Sequence, residues 1–331
     1  MNSTSTGTGP LEGLDAEEVF ARSRRPLVLG IGGGGDVVGA AAVAKLLEQG
    51  GAEAIVGGTT WERRVVDPRP GPRSEDEVDG AARRLARGVL LADGATRVGR
   101  DGPPFAEALV ARTLDRPTLL VDVTLGPRAI ARSLAAALHE LGCDAVLFVD
   151  VGGDAVASGE EPGLASPLCD AMMLAAGAHL AAVATVPVLA AVFGAGCDGE
   201  LAPGEVLTRV ALICAAGAFA GARALGPRAA RRLADLCAVV PTEASAQAFA
   251  CFEGARGTAT IRGGLRTVEL TPLGALCFFF DLQRAFEAGC LPLAAAVAEA
   301  DDLEAANDVL ARRGLRTELD YERRAARGAE R

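Results

Sequence analysis

Lysine is almost missing from this chain, and aromatic residues make up only 4% of its 331 positions. Lys45 stands alone among 33 basic residues, and with alanine and arginine so abundant this reads as coding bias rather than chemistry. Half the residues are hydrophobic, so a sizeable core is available, but with so few rings it must be built of Ala, Val and Leu. Histidine occurs only at His139 and His179, one near a helix end and one inside an apolar stretch, and both read as structural. Their scarcity excludes a zinc site, and without a GxSxG elbow it also excludes a Ser-His-Asp hydrolase. The eight cysteines stand singly with no CxxC pair, which points to buried, reduced thiols in a cytoplasmic protein. Positive charge is short as well: a net charge of −10 argues against nucleic acid as a general partner.

A membrane partner is not expected either. Residues 1–10 are rich in Ser, Thr and Gly without an apolar core, so they read as a disordered tail and not a signal peptide. Residues 171–197 carry no formal charge over 27 positions, long enough to span a bilayer. Gly177, His179, Thr185 and Pro187 interrupt the run, and no Lys/Arg cluster flanks it. A buried helix followed by a buried strand is the better reading.

What the chain does have is glycine at one place: Gly30-Ile31-Gly32-Gly33-Gly34-Gly35-Asp36. A short apolar strand precedes it, an apolar helix runs from 37 to 49 and closes on Gly50-Gly51, and a second strand covers 54–56. The outline recurs as a strand at 118–123, a Thr124-Leu125-Gly126-Pro127 turn, a helix at 129–141 and a strand at 144–150. Continuous apolar strands between helices predict an α/β fold, Rossmann-like, with a mostly parallel sheet covered by helices on both faces. One domain is expected over 26–321, after a short helix within 11–25 whose inner face is Leu11, Leu14, Val19 and Phe20. Residues 75–87 read as a charged surface helix or loop. A helix over 167–184 is capped by Ser166, and from about 203 a helical extension follows, with long helices at 203–225 and 272–288. Within it lies a small β-hairpin about Arg262-Gly263-Gly264, and 322–331 reads as a frayed tail. The apolar helix at 205–225 is either core or the face of a homodimer.

Gly30, Gly32 and Gly35 satisfy GxGxxG in the setting a dinucleotide fold requires, which opens an NAD(P)- or flavin-dependent oxidoreductase. Two features oppose it: no acid ends the second strand, and Asp36 places negative charge where a pyrophosphate would sit. The alternative is an anion cradle, with the backbone N–H groups of Gly32, Gly33, Gly34 and Gly35 holding a phosphate or carboxylate at a helix N-terminus. Asp36 is then either a helix N-cap or a ligand or metal contact.

Acids gather at strand exits. Asp122, Asp150, Asp154 and Asp198 follow predicted parallel strands, joined by Glu62 and Glu200, on the sheet edge where α/β proteins bind ligands. Clustered carboxylates need compensation, and Mg²⁺ or another divalent cation held by Asp122, Asp150, Asp154 and Asp198 would supply it. Thr124, Gly126, Gly152, Gly153 and Ser166 are turn donors that could meet an anionic substrate. The chemistry expected is a metal-assisted reaction on a phosphorylated or carboxylated small molecule or nucleotide, with Asp154 on the metal. Glu62 or Glu160 would be the general base, and Arg63 would steady developing charge. A non-catalytic sensor with the same pocket is the reading from another class.

Residues 30–39, Gly57-Gly58-Thr59-Thr60-Trp61-Glu62-Arg63, Asp150-Val151-Gly152-Gly153-Asp154 and residues 160–171 resemble the prokaryotic family called domain of unknown function 1152. Residues 196–201, 261–266 and 317–323 are similar too, so the resemblance spans roughly 26 to 323. It implies a one-domain cytosolic α/β protein and brings no established reaction.

Overall fold

The computed structural model describes residues 13–329, so the predicted tail at 1–10 and Leu11 lie outside the described residues. The first strands are β1 (Pro26–Gly30), β2 (Ile55–Thr59), β3 (Val78–Asp79), β4 (Arg83–Ala86), β5 (Val89–Ala92), β6 (Arg97–Val98) and β7 (Thr118–Val121). After them come β8 (Ala145–Val151), β9 (Val188–Phe193), β10 (Phe219–Ala224), β11 (Gly257–Ile261), β12 (Arg266–Leu270) and β13 (Leu276–Asp281). The helices begin with α1 (Ala16–Arg22), α2 (Asp36–Leu47), α3 (Ala106–Leu114), α4 (Pro127–Leu141), α5 (Pro167–Ala181) and α6 (Pro203–Ala215). They end with α7 (Pro227–Cys237), α8 (Ala244–Phe252), α9 (Leu282–Glu287), α10 (Pro292–Val297), α11 (Leu303–Arg312) and α12 (Glu318–Ala329).

Among the described residues nine strands form one sheet, ordered β10-β13-β9-β8-β1-β2-β7-β5-β4. β9, β8, β1, β2 and β7 are parallel, and antiparallel strands flank them on both sides. Numbered along the chain, the parallel strands stand in the order 3-2-1-4-5, the doubly wound arrangement whose direction of progress reverses between β1 and β8. The pleat explains why these strands are apolar throughout. Leu27, Leu29, Val146 and Phe148 pack with α4 and α5 on one face, while Val28, Leu147 and Val149 pack with α2 and α7 on the other. No helix among the described residues is long and apolar enough to cross a membrane.

The structure corrects several expectations. The helix from Pro203 ends at Ala215, and after Gly217 at φ 67° the chain becomes β10, paired antiparallel with β13. The dimer face imagined along 205–225 is therefore not one helix. The apolar run within 272–288 is strand β13, because Cys277 to Phe280 is buried on both sides between β10 and β9; the helix starts only at Leu282, capped by Asp281. Residues 75–87 contain β4, an edge strand whose Arg83 and Arg84 keep the edge in water. Of the tail expected at 322–331, residues Glu322 to Ala329 belong to α12, where the Glu322 carboxylate accepts from the Trp61 indole and the Gly71 amide, and 330–331 lie outside the described residues. Ser166 stands before α5 without capping it, since its hydroxyl turns to Glu200.

Candidate functional site

The loops leaving β1 and β8 part at the reversal of strand order, and a cleft of about 1110 Å³ opens there. The glycine loop forms one wall, and residues 61–65, 162–166 and 198–200, the β11–β12 hairpin and α12 form the rest. Each loop glycine makes room for protein. A Cβ on Gly30 would lie 2.5 Å from the backbone of Asp36 and Val37, and one on Gly35 would lie 2.2 Å from Thr242 Oγ1. Gly33 and Gly34 take φ of 82° and 51°, which other residues disfavour. Half the amides are engaged within the protein: Gly32 N–H donates to Asp36 Oδ2 at 2.9 Å and Gly34 N–H to the Trp61 carbonyl at 2.7 Å. Asp36 is the first residue of α2, with Gly35 at the cap position, so it does not serve as N-cap.

Facing the loop is a wall of carboxylates in two groups. Asp36, Asp150 and Asp170 bring oxygens within 4.8 Å of one another, and Asp154, Asp198 and Glu200 do the same. Each arrives from a different element. Asp36 opens α2, Asp150 lies near the end of β8, and Asp170 sits in the first turn of α5. Asp154 follows Gly152 and Gly153, whose φ of 137° and 118° turn the chain back across the sheet edge. Asp198 and Glu200 follow β9. Asp150 and Asp170 are each only 1% exposed, yet both oxygens of Asp150, one of Asp170 and one of Asp198 lack a hydrogen-bond partner among the described residues.

Burial is the main reason the aspartates of this wall are shifted upward. It pushes Asp36 up to about 7, against the opposing Gly32 amide, and Asp198 up to about 8 with help from Glu200. Asp150, Asp154 and Asp170 rise well above the carboxylate range, first through burial and then through the charge of neighbouring acids, Asp36 and Asp198 beside Asp150, Asp170 and Glu200 beside Asp154, and Asp150 and Asp36 beside Asp170. One guanidinium answers them directly: Arg266 meets Glu200 at 2.6 Å. The second Glu200 oxygen accepts from the amides of Ala165 and Ser166.

The remaining walls carry further buried groups. Glu62 accepts from the Ala106 amide at 2.6 Å, and burial lifts it to about 7. Behind it Glu107, 1% exposed, lies under Gly58 and is raised well above normal, first by burial and then by Glu62. Arg63 meets Glu243 at 2.7 Å. Glu318 of α12 accepts from the amides of Leu168 and Cys169 at the start of α5, and burial lifts it to about 8.

Of the residues singled out in the sequence, Gly32 to Gly35, Asp36, Glu62, Arg63, Asp154, Ser166 and Asp198 line the cleft. Asp150 lies within the first carboxylate group, and Gly152 and Gly153 shape the turn beneath it. Four residues are elsewhere. Asp122 follows β7, two strands from the reversal, and its oxygens accept from Thr124 and from the Glu75 amide. Thr124 is occupied with Asp122, and Gly126 packs against the carbonyls of Ala300 and Asp301. Glu160 is exposed on the surface, outside the lining. Sequence reasoning passed over Asp170, Arg262 and Arg266. Asp170 had a visible mark, as the only charged residue in the apolar α5.

Strand order and cleft together define a Rossmann-like α/β protein with a carboxylate-walled pocket at its topological switch point. The chain belongs to the family described as "Protein of unknown function (DUF1152)", whose model matches residues 27–326. No curated protein and no solved structure matches it.

Proposed function

We propose that the cleft is the active site of a metal-dependent enzyme acting on a phosphorylated or carboxylated small molecule. The observation that carries this reading is the set of buried carboxylate oxygens with no hydrogen-bond partner among the described residues, on Asp150, Asp170 and Asp198. An ionised carboxylate left alone in the interior costs several kcal/mol, and two groups of three multiply that cost. Divalent cations with oxygen ligands would offset it, Asp36, Asp150 and Asp170 holding one and Asp154, Asp198 and Glu200 a second. Such cations would polarise a phosphoryl or carbonyl oxygen. Glu62, in the cleft wall and poised near neutrality, would take the proton of an attacking water, and Arg63 would balance developing negative charge.

The test is thermal unfolding with and without Mg²⁺, Mn²⁺ or Ca²⁺ for the native chain and for Asp150→Asn and Asp154→Asn. A cation at a hundredfold excess over its Kd stabilises by about 2.7 kcal/mol. The expected result is a cation-dependent rise that each variant reduces. No rise with any cation, or a rise that both variants keep, would falsify the metal site. Tight ligand binding without turnover across phosphate esters would favour a sensor instead.

The strand order also supports a second reading, a nicotinamide or flavin oxidoreductase. Against it, Asp36 already occupies the Gly32 amide where a pyrophosphate would bind, and β2 ends in Gly57-Gly58-Thr59 with no acid for a ribose. Retention of a coloured cofactor through purification would favour this reading over the first.

A further inference from the structure

Above the carboxylate wall the cleft changes sign. Arg63 reaches it from the loop after β2, and Arg262 and Arg266 reach it from the β11–β12 hairpin, about two hundred positions away along the chain. Their acidic partners are few. Glu243 meets Arg63 at 2.7 Å and stands 3.8 Å from Arg262 Nε, while Glu200 meets Arg266 at 2.6 Å. The Nε groups of Arg63 and Arg262 are buried without an acceptor among the described residues. Arg262 also holds φ at 56°, although the next two residues are glycines that would take that conformation freely. Its amide is pinned to Glu243 Oε1 at 2.8 Å. The hairpin tip thus presents a guanidinium to the cleft at a backbone position suited to glycine.

Beside these arginines, and Arg64 next to Arg63, the lip also carries apolar side chains. Leu265 at the hairpin tip is 87% exposed, Val65 is 77% exposed and Tyr321 on α12 is 42% exposed, and all three line the opening. A single exposed apolar side chain needs no explanation, but three from separate elements around one mouth form a patch.

We infer that the ligand of this site is a nucleoside phosphate, with its phosphate on Arg63, Arg262 and Arg266 and its base lying among Val65, Leu265 and Tyr321. This deepens the proposed function by naming the substrate class, and it rests on that reading for the fate of the phosphate; the binding itself needs no cation. Guanidinium forks match phosphate oxygens in pairs. A nucleobase is flat with two apolar faces, so it fits between aliphatic side chains and a phenol ring. An alkyl chain would gain by buried area alone, without a flat face to match the phenol ring. A phosphosugar has nothing to place there, and the cavity of about 1110 Å³ has room for more than one.

Trp61, the sole tryptophan, lines the cleft and reports binding by its emission. Pyrophosphate, ribose 5-phosphate, AMP, ADP and decyl phosphate are titrated in EDTA against the full chain. AMP and ADP should bind about tenfold more tightly than ribose 5-phosphate and pyrophosphate, the worth of one stacked base. Leu265→Ser and Tyr321→Ala, both uncharged changes at exposed positions, should remove that advantage and leave pyrophosphate affinity unchanged. Arg262→Gln should weaken every phosphate ligand by about tenfold. Equal affinity for AMP and ribose 5-phosphate, or equal losses for all ligands in Leu265→Ser, would overturn the base subsite. Decyl phosphate binding more tightly than AMP would replace the nucleoside with a chain, and affinity untouched by Arg262→Gln would remove the arginine grip. Cation-dependent unfolding of Asp150→Asn is read separately, so the metal site and the nucleotide site can each fail alone.

Discussion

The glycine loop and the carboxylate wall face each other across one cleft and teach opposite lessons about reading a ligand site. The loop is conspicuous, yet its glycines are required by neighbouring protein atoms: Gly30 by the backbone of Asp36, Gly33 by the Trp61 carbonyl, Gly35 by Thr242. Two of the four amides of Gly32 to Gly35 are bonded within the protein. The wall has no local pattern, since its members stand between positions 36 and 200, but it holds buried oxygens that no group among the described residues satisfies. Glycine density reports crowding, whereas an unsatisfied buried acceptor reports something that binds.

That contrast can be broken or sharpened by experiment. The largest effect should be on the pH dependence of stability without divalent cations. Asp36 and Glu62 near 7 and Asp198 and Glu318 near 8 hold protons in the folded state that the unfolded chain releases near pH 4. Their contribution is complete below that unfolded value and is lost as pH rises through 7 to 8. Urea denaturation should therefore show stability falling by on the order of several kcal/mol from about pH 5 to about pH 8, and a divalent cation should flatten the slope. A flat profile without cations would mean the wall is already compensated.

Gly30→Ala comes next. Its Cβ would meet backbone at 2.5 Å with nothing flexible to move aside, so the cost should be about 3 kcal/mol at every pH. A cost under about 1 kcal/mol would show that the loop has slack and that its glycines serve something else. Asp150→Asn should have the opposite sign, stabilising the cation-free protein by about 1–2 kcal/mol at neutral pH. Destabilisation there would place Asp150 in the structural network with the glycines. Glu322→Ala should cost about 1–2 kcal/mol and red-shift the Trp61 emission, because it removes the acceptor of the indole N–H and of the Gly71 amide. Smallest is Glu160→Ala, exposed and off the cleft, which should stay within about 0.5 kcal/mol and keep the whole cation response.

Much of this molecule was legible before its structure, for definable reasons. The parallel strands β1, β7, β8 and β9 are buried on both faces, so each is a largely apolar run between turn residues, while β2 shows only Ile55-Val56 before its Gly57-Gly58-Thr59 end. The antiparallel strands were harder. β13 is an apolar run too short for periodicity to separate strand from helix, and β10 alternates among Ala, Gly and Arg directly after a helix. Asp150, Asp154 and Asp198 could be found because the ends of parallel strands share an edge. The same rule also selected Asp122, since the strand order that sets β7 apart from the reversal is a long-range property. Asp170 arrives on a helix, and Arg262 and Arg266 arrive on a hairpin folded over from the end of the chain, so no local spacing announces them. The Glu62–Glu107 pairing is likewise made by tertiary packing, across 45 positions.

Helix α12 carries a mechanical implication. Glu318 and Glu322 are one turn apart on it; one carboxylate grips the start of α5 and the other grips the indole and the Gly71 peptide. The helix thereby buckles together two stretches nearly a hundred residues apart in the chain. Loosening one clasp lifts the other, so slow solvent exchange at the Gly71, Leu168 and Cys169 amides should be a single shared property, gained or forfeited as a unit.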